Sequence, residues 1–280
     1  MNSQIKDNSK KFILVTFSVF FLFCTNQSVV GEEKIIENVS RFEETQIHFL
    51  SNDCRNKKKV LVLIHGSPGA ASDFQIYLKD KDLQRQFCIL VPDRLGYGNS
   101  MKENSVPNIF QQGRNLQTAI SNYLKKESLV FESGIVVGHS YGGPIALVYL
   151  MESDSKVWKA VLLSAPVDPD LEELVWYNHL ANLSFVSWIL PKSWVHSNQE
   201  MFTLKSDLIQ LTKMLENKSL NILSIHGEKD FLVSVDNVNY LTNHYKHIKN
   251  KTLILKGENH FIPWTNFAEI KNIILMEVSL

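Results

Sequence analysis

Residues 136–147 read VVGHSYGGPIAL: an apolar run halts at a serine set between glycines, and a second apolar run follows. A strand entering a helix through Gly138-His139-Ser140-Tyr141-Gly142 bends so sharply that the serine takes a strained backbone conformation, and the flanking positions must be nearly free of side chain. Gly143 then lets the helix approach the sheet, and Pro144 falls in the first helical turn, where its missing N–H costs little. Such a turn lifts the Ser140 hydroxyl clear of the sheet. A serine hydroxyl is a poor nucleophile at neutral pH, so it needs a base, and the base needs an acid to fix its tautomer and stabilise the imidazolium. Both follow in the chain: Asp230 within HGEKDFLVS and His260 within GENHFIPW. The chemistry predicted by these three residues is acyl transfer through a covalent acyl-enzyme.

Elements must exist to hold them. Short continuous apolar runs at 60–66, 87–93, 133–140, 160–166, 221–230 and 251–260 have the character of strands buried on both faces of a parallel sheet. Segments of helical period lie between them. In NIFQQGRNLQTAISNYLKK, for example, Leu116, Ile120 and Leu124 recur every fourth residue behind Ser105 and Pro107. Alternating strands and helices predict an α/β fold with a mostly parallel central sheet and helices on both faces, whose ligand crevice lies at the carboxyl ends of the strands. Ahead of these, KIIENVSRF and TQIHFLSND predict an opening hairpin. Between 167 and 218 no strand candidate occurs, but Trp176, Tyr177, Phe185, Trp188 and Trp194 do, which predicts a helical cap over the strand ends. There is no internal repeat and no low-complexity tract.

The chain order of serine, acid and histidine resembles that of the α/β-hydrolase fold, and the resemblance covers roughly residues 35–280. It is carried further by HGSPG after the third strand and DRLGYGNS after the fourth. HGSPG is similar to the His-Gly-x-Pro turn that supplies half of the oxyanion hole in these enzymes. The resemblance therefore implies that the backbone N–H groups of Ser67 and Tyr141 hold the oxyanion. It also favours Asp230, three residues after Gly227, over Glu228, Asp236, Asp168 and Asp170. His65, His139 and His226 are expected as structural hydrogen-bonders in tight turns, and His48, His179, His196, His244 and His247 as surface or cap residues. Asp93 and Arg94 are expected to brace neighbouring loops. The turns HGSPG and DRLGYGNS are also similar to those of proline iminopeptidases, and Glu172 and Glu173 could meet a substrate amine. GHSYGG, however, departs from the Gly-Gly-Ser-Trp-Gly of those peptidases and looks closer to esterases. The expectation is a carboxylic ester hydrolase, with an aminopeptidase as the alternative. A binding protein built on this fold would usually carry a damaged triad, and this triad is complete. The partner is a small-molecule acyl substrate, and neither metal nor cofactor is called for.

Composition agrees with a folded enzyme. The 280 residues are 44% hydrophobic, and 29 basic residues balance 29 acidic ones, so there is no basic stripe for nucleic acid. Lys6, Lys10 and Lys11 precede the apolar run FILVTFSVFFLF, which is too short to span a bilayer but has the layout of an export signal. Residues 1–31 are accordingly expected to direct export, or to associate with the membrane, and 32–280 to form the hydrolase domain. Cleavage after Gly31 competes with lipidation of Cys24, although Phe23 departs from the small residue that lipoprotein signals carry. The remaining cysteines, Cys54 and Cys88, either pair or stand as two buried thiols.

Overall fold

The computed structural model describes residues 34–101, 104–153 and 158–277. The export segment expected over residues 1–31, with Cys24 and Gly31, lies outside the described residues. In chain order the elements are β1 (Ile36–Phe42), β2 (Thr45–Ser51), β3 (Lys59–Ile64), α1 (Gln75–Leu78), α2 (Lys81–Gln86), β4 (Phe87–Pro92), α3 (Ile109–Lys126), β5 (Ser133–His139), α4 (Gly142–Glu152) and β6 (Trp158–Leu163). They continue with α5 (Trp176–Ala181), α6 (Ser184–Ile189), α7 (Lys192–Leu215), β7 (Asn221–Gly227), α8 (Asn237–His244), β8 (Lys249–Leu255), α9 (Ile262–Thr265) and α10 (Phe267–Glu277).

The described strands form one sheet in the order β1-β2-β4-β3-β5-β6-β7-β8. β1 and β2 are the expected hairpin and pair antiparallel, as do β2 and β4; every other neighbouring pair is parallel. The central strands are apolar throughout because each feeds two cores. On β3, Val60, Val62 and Ile64 pack with α3, α4, α7 and α8, whereas Leu61 and Leu63 face the opposite layer of α1, α2, α9 and α10. The α4 helix is buried from Gly142 to Leu150, trapped between the sheet and α3, and the two helices cross so closely that a Cβ on Gly113 would lie 2.6 Å from Val148.

One sequence expectation needs adjustment. The α3 helix starts at Asn108, whose side chain accepts the N–H of Gln111, rather than at Ser105 or Pro107. Asp207 of α7 reinforces that start, its carboxylate accepting Ile109 N–H at 2.9 Å and Asn108 Nδ2 at 3.1 Å. The acidic DPDLEEL segment does not open a helix: a single tight turn spans Pro169–Leu171, and the chain then runs on to α5. Its approach is fixed from a distance, because the N–H groups of Val167 and Asp168 both donate to Asn237 Oδ1. From β6 to β7 the described chain holds helices and no strand.

Cys54 and Cys88 form a disulfide, with Cα atoms 4.4 Å apart, that ties the loop after β2 to the start of β4. The bridge closes a separation of 34 residues, which in a chain-entropy account corresponds to about 3–4 kcal/mol of stabilisation. A Cys54→Ala/Cys88→Ala protein is therefore expected to lose roughly that much in a denaturant titration, with a steeper slope because the unfolded chain without the crosslink exposes more surface.

Candidate active site

Ser140 follows β5 directly and carries φ of 51°, in the left-handed region that a non-glycine residue enters only under constraint. The constraint is the packing around it. A Cβ on Gly138 would lie 2.2 Å from the Gly142 carbonyl oxygen, one on Gly142 would lie 2.5 Å from that of Ile64, and one on Gly143 would lie 2.2 Å from Ala165 Cβ. No larger side chain fits at any of these positions. The Ser140 N–H donates to Leu163 O on β6 at 2.9 Å, and its carbonyl accepts Gly143 N–H at 2.8 Å, so the turn is held from both sides. Ser140 itself is half-buried, and its hydroxyl makes no hydrogen bond among the described residues.

Asp230 and His260, the expected acid and base, come from the loops after β7 and β8. Those loops interlock: Lys229 N–H donates to Glu258 O at 2.7 Å, and Gly227 sits where a Cβ would be 2.3 Å from Asn259 O. The Asp230 side chain is fully buried. Oδ1 accepts the N–H groups of Leu232 and Val233, each at 2.9 Å, and Oδ2 accepts His260 Nδ1–H at 2.8 Å; His226 Nε2, which bonds the Val233 carbonyl at 3.0 Å, lies 3.1 Å from the same Oδ2. Burial alone would raise this carboxyl, but the hydrogen bonds from His226, His260 and Val233 outweigh it and hold it well below the usual carboxylate range. With Nδ1 donating to a carboxylate, the His260 imidazole keeps its Nε2 lone pair free, the tautomer a general base needs. None of the competing acids reaches His260: Glu228 accepts Gly257 N–H, Asp168 caps its own turn, and Asp236 contacts Ser234.

The residue before the serine joins the halves of the site. His139 Nε2–H donates to the His260 carbonyl at 3.1 Å, and the two rings lie 4.8 Å apart. Burial first, and the neighbouring His260 second, push the His139 imidazole down to about 3, so it stays neutral and serves as a brace. His226, expected as a hydrogen-bonder in its turn, bonds the Val233 carbonyl at 3.0 Å and so braces the loop that carries Asp230.

Gly66 closes the site from the β3 side, since a Cβ there would lie 3.0 Å from Ser140 Cβ. This sets the Gly66–Ser67 peptide beside the serine. Among the described residues, neither the N–H of Ser67 nor that of Tyr141 has an acceptor. Behind this loop lies a cluster that the sequence did not announce. Arg94 and Glu200, both wholly buried, form an ion pair at 2.6 Å, joined by Gln112, Tyr97 and the hydroxyl of Ser67. Arg94 was expected to brace loops and does; Glu200, from α7, carried no local signal. A hollow of about 340 Å³ lined by Val60, Ser133 and Trp158 lies at the amino ends of the strands, away from all of these groups.

The chain matches a protein-family model described as alpha/beta hydrolase fold over residues 59–184. A proline iminopeptidase of Lactobacillus acidophilus is 26% identical over 135 residues, and that of Clostridioides difficile is 30% identical over 135 residues. Each match spans 47% of this chain and 44% of the relative, so less than half the length of these curated relatives is matched. Among solved structures, 2-hydroxy-6-oxo-6-phenylhexa-2,4-dienoate hydrolase from Rhodococcus sp. strain RHA1 superposes with a TM-score of 0.65 at 20% identity, covering 88% of this chain and 99% of that one. An N-acyl homoserine lactonase complexed with N-butanoyl homoserine gives 0.66 at 13% identity, covering 87% and 96%. Identities this low speak for the fold alone. Together with the sheet topology, these matches show that the chain has the α/β-hydrolase fold.

Proposed function

We propose that this protein is a serine hydrolase that cleaves a carboxylic ester through an acyl-enzyme. The observation that carries the reading is the convergence of three features at the carboxyl ends of the strands. They are a serine held at positive φ after β5, a histidine whose Nδ1–H is tied to a buried carboxylate at 2.8 Å, and two unsatisfied N–H groups at Ser67 and Tyr141. Ser140 attacks the acyl carbonyl while His260 Nε2 takes its proton. Asp230 holds the imidazole and stabilises its charged form. The amides of Ser67 and Tyr141 receive the negative charge that develops on the carbonyl oxygen. His260 then returns the proton to the leaving alcohol, and water, activated by the same imidazole, releases the acid.

Ester rather than amide cleavage is supported by the tyrosine that follows Ser140, where proline iminopeptidases have tryptophan, and by the apolar character of the segment between β6 and β7. That segment is read as the cap that selects the acyl group. A second reading, removal of an N-terminal residue from a peptide, is favoured by the curated relatives and by Glu172. Burial, and then the nearby Asp168, raise this carboxyl to about 7. A substrate ammonium docked there would restore its charge.

Turnover of a graded series of aryl esters, set beside proline arylamide, separates the two readings. Ester hydrolysis that disappears in Ser140→Ala is the expected outcome, whereas arylamide turnover alone would move the assignment to an aminopeptidase. Asp230→Asn is expected to lower kcat by about 10⁴, as loss of the tautomer-fixing acid does in related triads; an unchanged rate would exclude Asp230 as the acid. Glu172 gives a pH test. Its folded carboxyl releases its proton near 7 rather than at 4.5, so the folded state holds a proton that the unfolded state has lost, and stability falls as pH rises through that window. Thermal melts of Glu172→Gln should lack this decline, and an identical profile would show that the carboxyl is not buried as described.

A further inference from the structure

The buried Arg94 cluster does more than fill space behind the active site. The Gly66 carbonyl accepts two hydrogen bonds, from Arg94 Nη2 at 2.7 Å and from His65 Nδ1 at 2.8 Å. His65 is a donor there by necessity, because its partner is a carbonyl and its Nε2 accepts the Arg94 backbone N–H at 3.1 Å. The peptide to which this carbonyl belongs is Gly66–Ser67. The N–H of the same peptide is the unsatisfied Ser67 donor, and the missing Cβ of Gly66 sets it against Ser140. One planar group thus accepts a charged donor at its oxygen and offers its hydrogen on the opposite side.

We propose that Arg94 is a positioning residue whose guanidinium fixes and polarises the Gly66–Ser67 peptide, so that the Ser67 N–H is aimed at the oxyanion and strengthened as a donor before substrate arrives. The inference rests on the serine-hydrolase reading above and assigns a cause to one half of its oxyanion site. The physical argument has two parts. In a trans peptide the N–H points away from the C=O, so anchoring the oxygen in the buried cluster fixes the direction of the hydrogen. Donors on a carbonyl, above all a charged one in a low-dielectric interior, draw electron density toward the oxygen and make the attached N–H a better donor.

The guanidinium is itself immobilised. Glu200 Oε1 accepts Arg94 Nη1 at 2.6 Å, Gln112 Oε1 accepts it at 2.7 Å, and the faces of Tyr97 and Tyr141 lie 4.5 and 5.1 Å from its central carbon. The Ser67 hydroxyl is held by Glu200 and, at 3.0 Å, by the Tyr97 hydroxyl. Residue 67 is therefore held through its side chain and its preceding carbonyl, while its N–H is left open. Glu200 belongs to α7, so the segment between β6 and β7 holds the guanidinium that aims the donor.

The test uses an irreversible probe that needs no knowledge of the natural substrate. A fluorophosphonate is attacked by the serine and places its P=O oxygen where the oxyanion would form. Its second-order labelling rate is measured for the wild type, Ser140→Ala and Arg94→Lys, with thermal melts confirming that each is folded. Lysine keeps the charge but cannot bond Gly66, Gln112 and Glu200 together, and the expected result is labelling slowed about tenfold to hundredfold. Gly66–Ser67 is the sequence's single Gly–Ser step, so labelling glycine with ¹³C at the carbonyl and serine with ¹⁵N gives one amide–carbonyl cross-peak. In the wild type that carbonyl resonance is expected downfield, and in Arg94→Lys it moves upfield.

Labelling of Arg94→Lys within twofold of wild type would overturn the inference alone. So would slower labelling with an unmoved cross-peak, since the defect would then lie elsewhere. If Arg94→Lys fails to fold, the wild-type resonance decides: downfield supports the proposal, and the position of a solvated glycine carbonyl refutes it. A wild type that is not labelled, or labelling that survives in Ser140→Ala, removes the serine-hydrolase reading itself and the inference with it.

Discussion

The turn at Ser140 is the constraint around which the molecule is arranged. A serine at positive φ costs on the order of 1–3 kcal/mol, and the conformation persists only because its surroundings leave no other. Those surroundings come from the whole sheet: Leu163 of β6 takes the serine N–H, Ile64 of β3 closes on Gly142, and Ala165 closes on Gly143. The strain and the approach of three strands are one feature seen from two sides. Because His139 is held in the same turn, its ring reaches the His260 carbonyl, and the strand that ends at Ser140 also locates His260.

Charge burial supplies a second level of organisation. A desolvated ion pair such as Arg94–Glu200 is weak evidence for stability, since removing two charges from water offsets much of their attraction. Removal of either partner, though, leaves a bare interior charge at a cost on the order of 3–5 kcal/mol. The pair therefore acts as a condition on assembly: α7 has to reach the loops after β3 and β4, or the interior holds a charge without a partner. Asp230 meets a similar condition by other means, with two backbone N–H groups and two imidazoles around one carboxylate.

Much of this was legible in the sequence because the relevant physics is local. Strands buried on both faces need apolar residues at every position, and a serine in a sharp strand-to-helix turn needs glycine on either side, so VLVLIHG and GHSYGG declared themselves. A serine demands a base and an acid, and the family resemblance pointed to His260 and Asp230 for those roles. What stayed hidden depends on contacts distant in sequence. Glu200 sits in a mixed polar stretch, EMFTLKSDL, that looks like a solvated helix face, and its partner is 106 positions away. The start of α3 owes its support to Asp207, and the path after β6 to Asn237, each supplied by an element far along the chain. The acidic segment DPDLEEL carries no local sign that the chain entering it is held from across the fold.

The helices between β6 and β7 are fastened unevenly. From Glu200 onward α7 contributes Glu200, Leu204, Asp207, Leu208, Leu211 and Leu215 to the interior, while α6 buries none of its residues, and Trp176, Phe185, Trp188 and Ile189 are largely exposed. The two stretches therefore contribute unequally to the core. Replacements in the later part of α7 disturb the packing of the domain, whereas the exposed side chains of α6 can change size and polarity at little cost to folding. The domain's stability therefore rests on the inner half of α7, and the outer helices add exposed apolar surface rather than core.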